Sequence, residues 1–158
     1  MSSKAFTLEE ARALLPHLSE LLEACSDELT DFQQRVSEAN QVYASAERAL
    51  EAAERKSQRQ RQLQELMEAR AGFEQAIAGL SAAQRDYLER LGYWVDRISE
   101  TGVILRDVRA GLLDFPARQG QLDYYLCWRL GEPDILYWHL VNDGFIGRKP
   151  LAALLEYC

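Results

Sequence analysis

Apolar residues in the first hundred positions recur at alternating steps of four and three, the heptad spacing of coiled-coil helices. One run covers 18–53 and a second covers 63–98, with a purely polar stretch between them. Pairs such as Tyr43 and Phe73 lie equally far from Gln58, as an antiparallel pair folded about that residue requires. The pattern therefore predicts a long antiparallel two-helix coiled-coil hairpin with its turn near Gln58.

The polar stretch contains no glycine or proline, so it does not force a turn. One continuous helix that pairs with a second copy as a parallel homodimer is the alternative. The hairpin is favoured because the second heptad run is out of phase with the first by one residue. In the hairpin, Arg70 and Gln84 fall at seam positions, where polar residues set register or extend outward to solvent.

The N-terminus of the helical region has a recognisable start. Thr7 followed by Glu10 forms a capping box, and Pro16 cannot donate its backbone N–H. We expect a short N-terminal helix that Pro16 ends or kinks, or a Pro16 in the first turn of the next helix.

Glycine, proline, aromatic and β-branched residues replace the helix formers after Gly102, which suits a helix C-cap. This composition predicts a small antiparallel meander, with Pro116 ending its second strand and a short helix from Leu151. The four predicted strands cover 103–106, 112–115, 123–130 and 135–140. The fold class is thus α+β, with a hairpin domain at 1–101 and a β module at 102–158 docked at the hairpin base.

The last β-hairpin has apolar or aromatic side chains on both faces. A symmetrical turn would place Leu126 opposite His139 and Cys127 opposite Trp138, with Cys127 and His139 on different faces. A sheet that is apolar on both faces must be covered on both or present one to a ligand or partner.

Composition restricts the function classes. The net charge of −7 disfavours general nucleic-acid binding. Three cysteines without metal-ligand spacing indicate a reducing compartment, and no apolar run has the length of a signal peptide or membrane span. We expect a soluble cytoplasmic protein with no membrane association, cofactor, metal or catalytic signature.

Several segments carry a family resemblance: FTLEEARALLP near the start, then GLLDFPA, YLCWRLGEP, YWH and GFIGRKP. In them the chain resembles an uncharacterised, mainly bacterial family known as domain of unknown function 2203. The resemblance implies a shared module and carries no chemistry. Its motif residues here are Asp114, Phe115, Pro116, Cys127, Trp128, Arg129, Gly131, Glu132, Trp138, His139, Gly144, Phe145, Gly147 and Arg148.

The β module holds the main candidates for ligand or partner binding. They are Trp128, Arg129, Glu132, Trp138, His139 and Arg148. The arginines could bind an anion beside His139, or Arg129 could pair with Glu132 while His139 is a satisfied sheet residue. A Cys127–His139 nucleophilic dyad needs a register that the pattern disfavours, and a zinc site of Cys127, His139 and Cys158 lacks a fourth ligand.

The predicted hairpin tip is basic. It carries Arg55, Lys56, Arg59 and Arg61, which could contact RNA or the ribosome, or could complement the helix dipole and keep the tip solvated. Three hypotheses follow: a non-enzymatic adaptor whose β module recognises a protein partner, which is the favoured one; small-molecule or anion binding at that module, with or without catalysis; and RNA contact through the tip.

Overall fold

The computed structural model describes residues 4–56 and 63–154. Helix α1 spans Leu8–Arg55 and helix α2 spans Leu63–Ser99. The two helices pack against each other as a hairpin within one chain, which confirms the predicted architecture over the continuous dimerising helix. The predicted turn at Gln58 lies outside the described residues.

Helix α1 begins at the predicted cap and continues through its proline. The Glu10 backbone N–H donates to Thr7 Oγ1 at 3.1 Å. Pro16 lies inside α1, so the expected short N-terminal helix is not a separate element. Ala11 and Leu18 are fully buried, and their packing offsets the backbone hydrogen bond that Pro16 cannot make.

A five-stranded antiparallel meander follows α2, in the order β1-β2-β3-β4-β5. The strands are β1 Ile104–Asp107, β2 Leu112–Gln119, β3 Leu122–Arg129, β4 Tyr137–Leu140 and β5 Lys149–Pro150. Gly102 precedes the sheet with φ of 89°, as a helix-ending glycine requires. The meander confirms the predicted α+β class and adds a short fifth strand.

Strand β2 continues through Pro116, where the sequence predicted an end. Pro116 pairs with Tyr125 of β3, while β1 pairs only with the residues of β2 up to Asp114. The proline therefore lies where β2 has no strand on its other side, so its missing N–H costs no ladder bond. Its carbonyl accepts the backbone N–H of Phe6 at 2.7 Å.

Two further expectations concern the C-terminus and membranes. A 3₁₀ turn spans Leu151–Ala153, and the rest of the predicted C-terminal helix lies outside the described residues.

Over 4–56 and 63–154, no helix combines the length and the apolar character needed to cross a bilayer.

Contacts group the chain into two compact units. The first contains Met1–Asp27 and Tyr93–Cys158, and the second contains Glu28–Gly92. In the first unit the inner face of the sheet packs on the start of α1 and the end of α2. The most buried members of that core are Leu18, Ile98, Leu113, Phe115, Leu126, Ile135 and Trp138. The division at residue 101, based on secondary-structure type, stays a prediction.

The second unit is helical, and the residues at its observed seam differ in part from the predicted ones. The Tyr43 and Phe73 rings have centroids 5.3 Å apart, as the hairpin register predicted. Arg70 and Gln84, however, are exposed, whereas Ala76 is buried. Every second predicted seam position of α2, at 70, 77 and 84, is therefore replaced by the alanine one residue earlier, at 69, 76 and 83. Small side chains on that face let the helices approach closely, which a count of large apolar residues does not reveal.

The register between β3 and β4 is shifted by one residue from the predicted one. Leu126 pairs with Trp138 and Tyr125 with His139. The turn begins early, because the Glu132 N–H donates to Arg129 O at 2.9 Å and the Trp128 indole N–H donates to Glu132 O at 3.1 Å. A one-residue slip exchanges the faces of a strand, so Trp138 points inward and His139 outward.

Candidate functional site

The outer face of the sheet carries a row of buried polar side chains on its three central strands. Asp114 of β2 pairs with Cys127 of β3, and His139 of β4 pairs with Tyr125, two residues before Cys127. Since paired residues share a face, Asp114, Cys127 and His139 lie on the same side of the sheet. They are 2%, 0% and 2% exposed. The expectation that Cys127 and His139 occupy different faces is therefore wrong.

Every polar atom of the Asp114 and His139 side chains has a partner. His139 Nδ1 lies 2.8 Å from the Leu140 carbonyl oxygen, and Nε2 lies 3.0 Å from Asp114 Oδ1. Arg106 Nε donates to Asp114 Oδ2 at 2.8 Å. A carbonyl can only accept, so Nδ1 carries a hydrogen. This arrangement agrees with the reading of His139 as a satisfied sheet histidine.

Arg106 reaches Asp114 from an irregularity in β1. The pairing of β1 with β2 shifts between Leu105 and Asp107, which leaves Arg106 at a β-bulge. Bulges redirect side chains, and the Arg106 guanidinium also lies 5.1 Å from the Tyr125 ring centroid. Neither Arg106 nor Asp114 was among the predicted site residues, although Asp114 is one of the family motif residues. An available signal was an aspartate in the middle of an apolar strand, where aspartate is depleted.

Cys127 is a thiol at neutral pH. Burial raises its pKa to about 12, and the negative charge of Asp114 adds to the effect, while Arg148 opposes it. Thiolates are the nucleophilic form of cysteine, so this environment does not activate Cys127. The side chains of Asp114, Cys127 and His139 nevertheless converge, with one potential ligand atom from each within 4.8 Å of the other two. Of the described residues, these three form a group that could hold a metal ion.

Arg148 and Glu132 form a second, separate arrangement. Arg148 Nη2 donates to both Glu132 carboxylate oxygens, at 2.9 and 2.7 Å. The guanidinium carbon lies 3.8 Å from the Tyr137 ring centroid and 4.6 Å from that of Phe145. Glu132 Oε1 also accepts the backbone N–H of Arg129 at 3.1 Å. Arg148 is thereby neutralised and stacked between two aromatic rings.

Two depressions border these residues. An open groove of about 500 Å³ lies beside the Arg148–Glu132 pair, and a cavity of about 300 Å³ lies beside Asp114 and His139. The groove is lined by Arg129, Glu132, Pro133, Leu136, Tyr137, Phe145 and Arg148. Phe145 borders both.

The six candidate residues of the β module lie in three different places in the structure. Trp128 and Trp138 lie on the inner face within the core, where they cannot contact a partner directly. His139 belongs to the Asp114 cluster, and Arg129, Glu132 and Arg148 belong to the groove. Arg129 and Glu132 are in contact as predicted, but it is the Arg129 backbone N–H that donates to the Glu132 carboxylate. Among the described residues, the Arg129 guanidinium forms no ion pair.

The structure describes two of the four residues of the predicted basic tip. Arg55 ends α1 and lies 4.0 Å from Glu51, one turn earlier. Lys56 is exposed, and Arg59 and Arg61 lie outside the described residues.

The comparison with known families agrees with the motifs in the strands and loops of this site. The model of the uncharacterised conserved proteins DUF2203 matches residues 4–151. The chain belongs to this family. No curated protein and no solved structure matches it at a significant level. Membership of this uncharacterised family brings no activity with it.

Proposed function

We propose that this DUF2203 chain is a non-enzymatic cytoplasmic adaptor that binds another protein through the outer edge of its β module. The contact surface is the apolar patch of Leu136, Phe145 and Ile146, together with the groove beside it. The observation that carries the proposal is the exposure of these side chains: 42% for Leu136, 39% for Phe145 and 100% for Ile146. Exposed apolar residues at and beside a groove are typical of interaction surfaces.

The groove beside the patch is preformed. Arg148 is held by Glu132 and by the rings of Tyr137 and Phe145, so several walls of the groove are fixed before a partner arrives. A preorganised surface loses less side-chain entropy on binding, which favours affinity. Arg129 supplies an exposed positive charge at the rim. This chemistry suits an apolar protein segment that carries an acidic side chain.

Of the candidate anion-binding groups Arg129, His139 and Arg148, two are already paired with carboxylates, and Arg129 alone has no ion pair among the described residues. Arg148 is paired with Glu132, and His139 with Asp114. A small anion would have to displace a carboxylate from either. The geometry therefore supports the adaptor above the anion-binding alternative, and the apolar patch has no role in RNA contact through the hairpin tip.

Site-specific photocrosslinking tests the proposal. A photoreactive amino acid at position 146 should crosslink a protein in native lysate, and the adduct should resist nuclease. Phe145→Asp placed beside the crosslinker should abolish the adduct. The matched control is a crosslinker at Val42, an apolar residue of α1 that is 59% exposed. The same adducts from positions 42 and 146, or no adduct from 146, would contradict the adaptor.

The alternatives give different results in the same experiment. A nuclease-sensitive association lost on charge reversal of Arg55 and Lys56 would favour RNA contact through the tip. An adduct between two copies of the chain would make the patch a homodimer contact.

A further inference from the structure

The cluster of Asp114, Cys127 and His139 has the donor set of a transition-metal site. It offers one carboxylate oxygen, one sulfur and one imidazole nitrogen from three adjacent strands. Zinc is bound by these ligand types, whereas magnesium and calcium prefer oxygen alone. The geometry points to a zinc-class divalent cation bound by Asp114, Cys127 and His139. This inference goes beyond the adaptor function and does not depend on it.

The hydrogen bonds of His139 prepare one nitrogen for a cation. Nδ1 donates to the Leu140 carbonyl at 2.8 Å, so in a neutral ring Nε2 has a free lone pair. That lone pair faces Asp114 Oδ1 at 3.0 Å. Two acceptors this close need a positive particle between them, either a proton or a metal ion. Metal-binding histidines commonly donate their other nitrogen to a backbone carbonyl, as His139 does here.

Asp114 has the support that a carboxylate ligand needs. Oδ1 faces His139, and Oδ2 accepts from Arg106 Nε at 2.8 Å. The arginine fixes the orientation of the carboxylate and leaves Oδ1 for the cation. Such outer hydrogen bonds hold ligating carboxylates in place in known metal sites.

The cluster reaches the separations of a tetrahedral site by movements of about an ångström or less. Zinc lies about 2.0–2.3 Å from nitrogen, oxygen and sulfur ligands, which puts neighbouring ligand atoms about 3.3–3.8 Å apart. The Nε2–Oδ1 pair at 3.0 Å must widen by a few tenths of an ångström, and all three atoms already lie within 4.8 Å. Asp114 and His139 also line the 300 Å³ cavity, from which water can take the fourth position.

Binding exchanges protons for the cation. The Cys127 S–H loses its proton to solvent as the sulfur–metal bond forms, because a coordinating thiol is deprotonated. The proton between Nε2 and Oδ1 leaves in the same event. No redox step is involved, and the number of protons released is measurable by calorimetry in buffers of different ionisation enthalpy.

Cobalt substitution tests the site in the full chain. A Cys25→Ser/Cys158→Ser background leaves Cys127 as the one thiol. One equivalent of Co²⁺ should give tetrahedral visible bands and a thiolate-to-cobalt charge-transfer band, both removed by Zn²⁺. Cys127→Ser should eliminate the charge-transfer band, and His139→Gln should weaken Zn²⁺ binding by at least about 100-fold. Asp123→Asn, at an exposed carboxylate of β3, is the matched control and should leave the affinity unchanged.

The cobalt spectrum of the Cys127-only protein tests the site even if a ligand variant fails to fold. A stoichiometric charge-transfer band in the Cys127-only background establishes the thiolate ligand without any further substitution. Octahedral cobalt spectra, or no binding at one equivalent, would overturn the site and leave the cluster as a hydrogen-bonded network.

Discussion

Strands β2, β3 and β4 have buried residues on both faces of the sheet, but the chemistry of the two buried groups differs. On the inner face, Leu113, Phe115 and Trp138 pack against apolar residues of the helices. On the outer face, Asp114 and His139 are equally buried and are held by directed hydrogen bonds. Apolar packing depends on volume, whereas a buried polar group needs a specific partner at a specific distance. The outer-face cluster therefore forms in one strand register alone.

The largest expected effect lies on the inner face. Phe115→Ala removes a fully buried ring whose centroid lies 5.6 Å from that of Phe6. Lost apolar burial and the remaining cavity should lower the free energy of unfolding by about 3–5 kcal/mol, measured by urea denaturation. A loss below about 1 kcal/mol would mean that the inner face is not the core.

The outer face should respond strongly to loss of a single partner. Asp114→Ala leaves His139 buried without a hydrogen-bond partner for Nε2, so the free energy of unfolding should fall by about 2–3 kcal/mol. Arg106 is half exposed and can recover water, which limits the loss. Asp123→Ala is the control, because its ion pair with Arg118 is exposed and should barely affect stability. Equal effects of the two variants would contradict the described cluster.

The buried thiol predicts a smaller, pH-dependent effect in metal-free protein. The pKa of Cys127 is raised to about 12 in the fold from an ordinary 9.0, so only the unfolded chain loses this proton between those values. The stability that this burial supplies is complete below pH 9.0 and decreases as pH rises toward 12. From pH 8 to 10, wild type should lose about 1 kcal/mol more than Cys127→Ala.

Chelator-treated samples unfolded in urea at both pH values provide the measurement. Cys25→Ala, at another buried thiol, shows how much of the loss is specific to Cys127. Parallel pH dependence of wild type and Cys127→Ala would show that the thiol titrates as it does in the unfolded chain.

The smallest effect on stability is expected at the patch. Ile146 is wholly exposed, so Ile146→Asp should change the free energy of unfolding by less than about 0.5 kcal/mol. With the photoreactive amino acid moved to position 136, Ile146→Asp should no longer crosslink the partner, which separates binding from folding. A destabilisation of several kcal/mol would show that Ile146 packs against the chain.

Local patterns along the sequence were sufficient for the secondary structure of most of the chain. Heptad spacing predicted both helices, Thr7 predicted the start of α1, and Gly102 marked the change from helix to sheet. These signals are local because helix caps, helix periodicity and turn conformations depend on residues a few positions apart.

Tertiary contacts decided the details that define the site. The register of β4 depended on Ile135 and Trp138 entering the core, which has no local signature. A shift of one residue brought His139 and Cys127 to one face, where Asp114 completes the cluster. The sequence thus determined which segments form strands and helices. Only the tertiary structure determined which side chains meet, because strand register is set by long-range packing and reverses faces with each step.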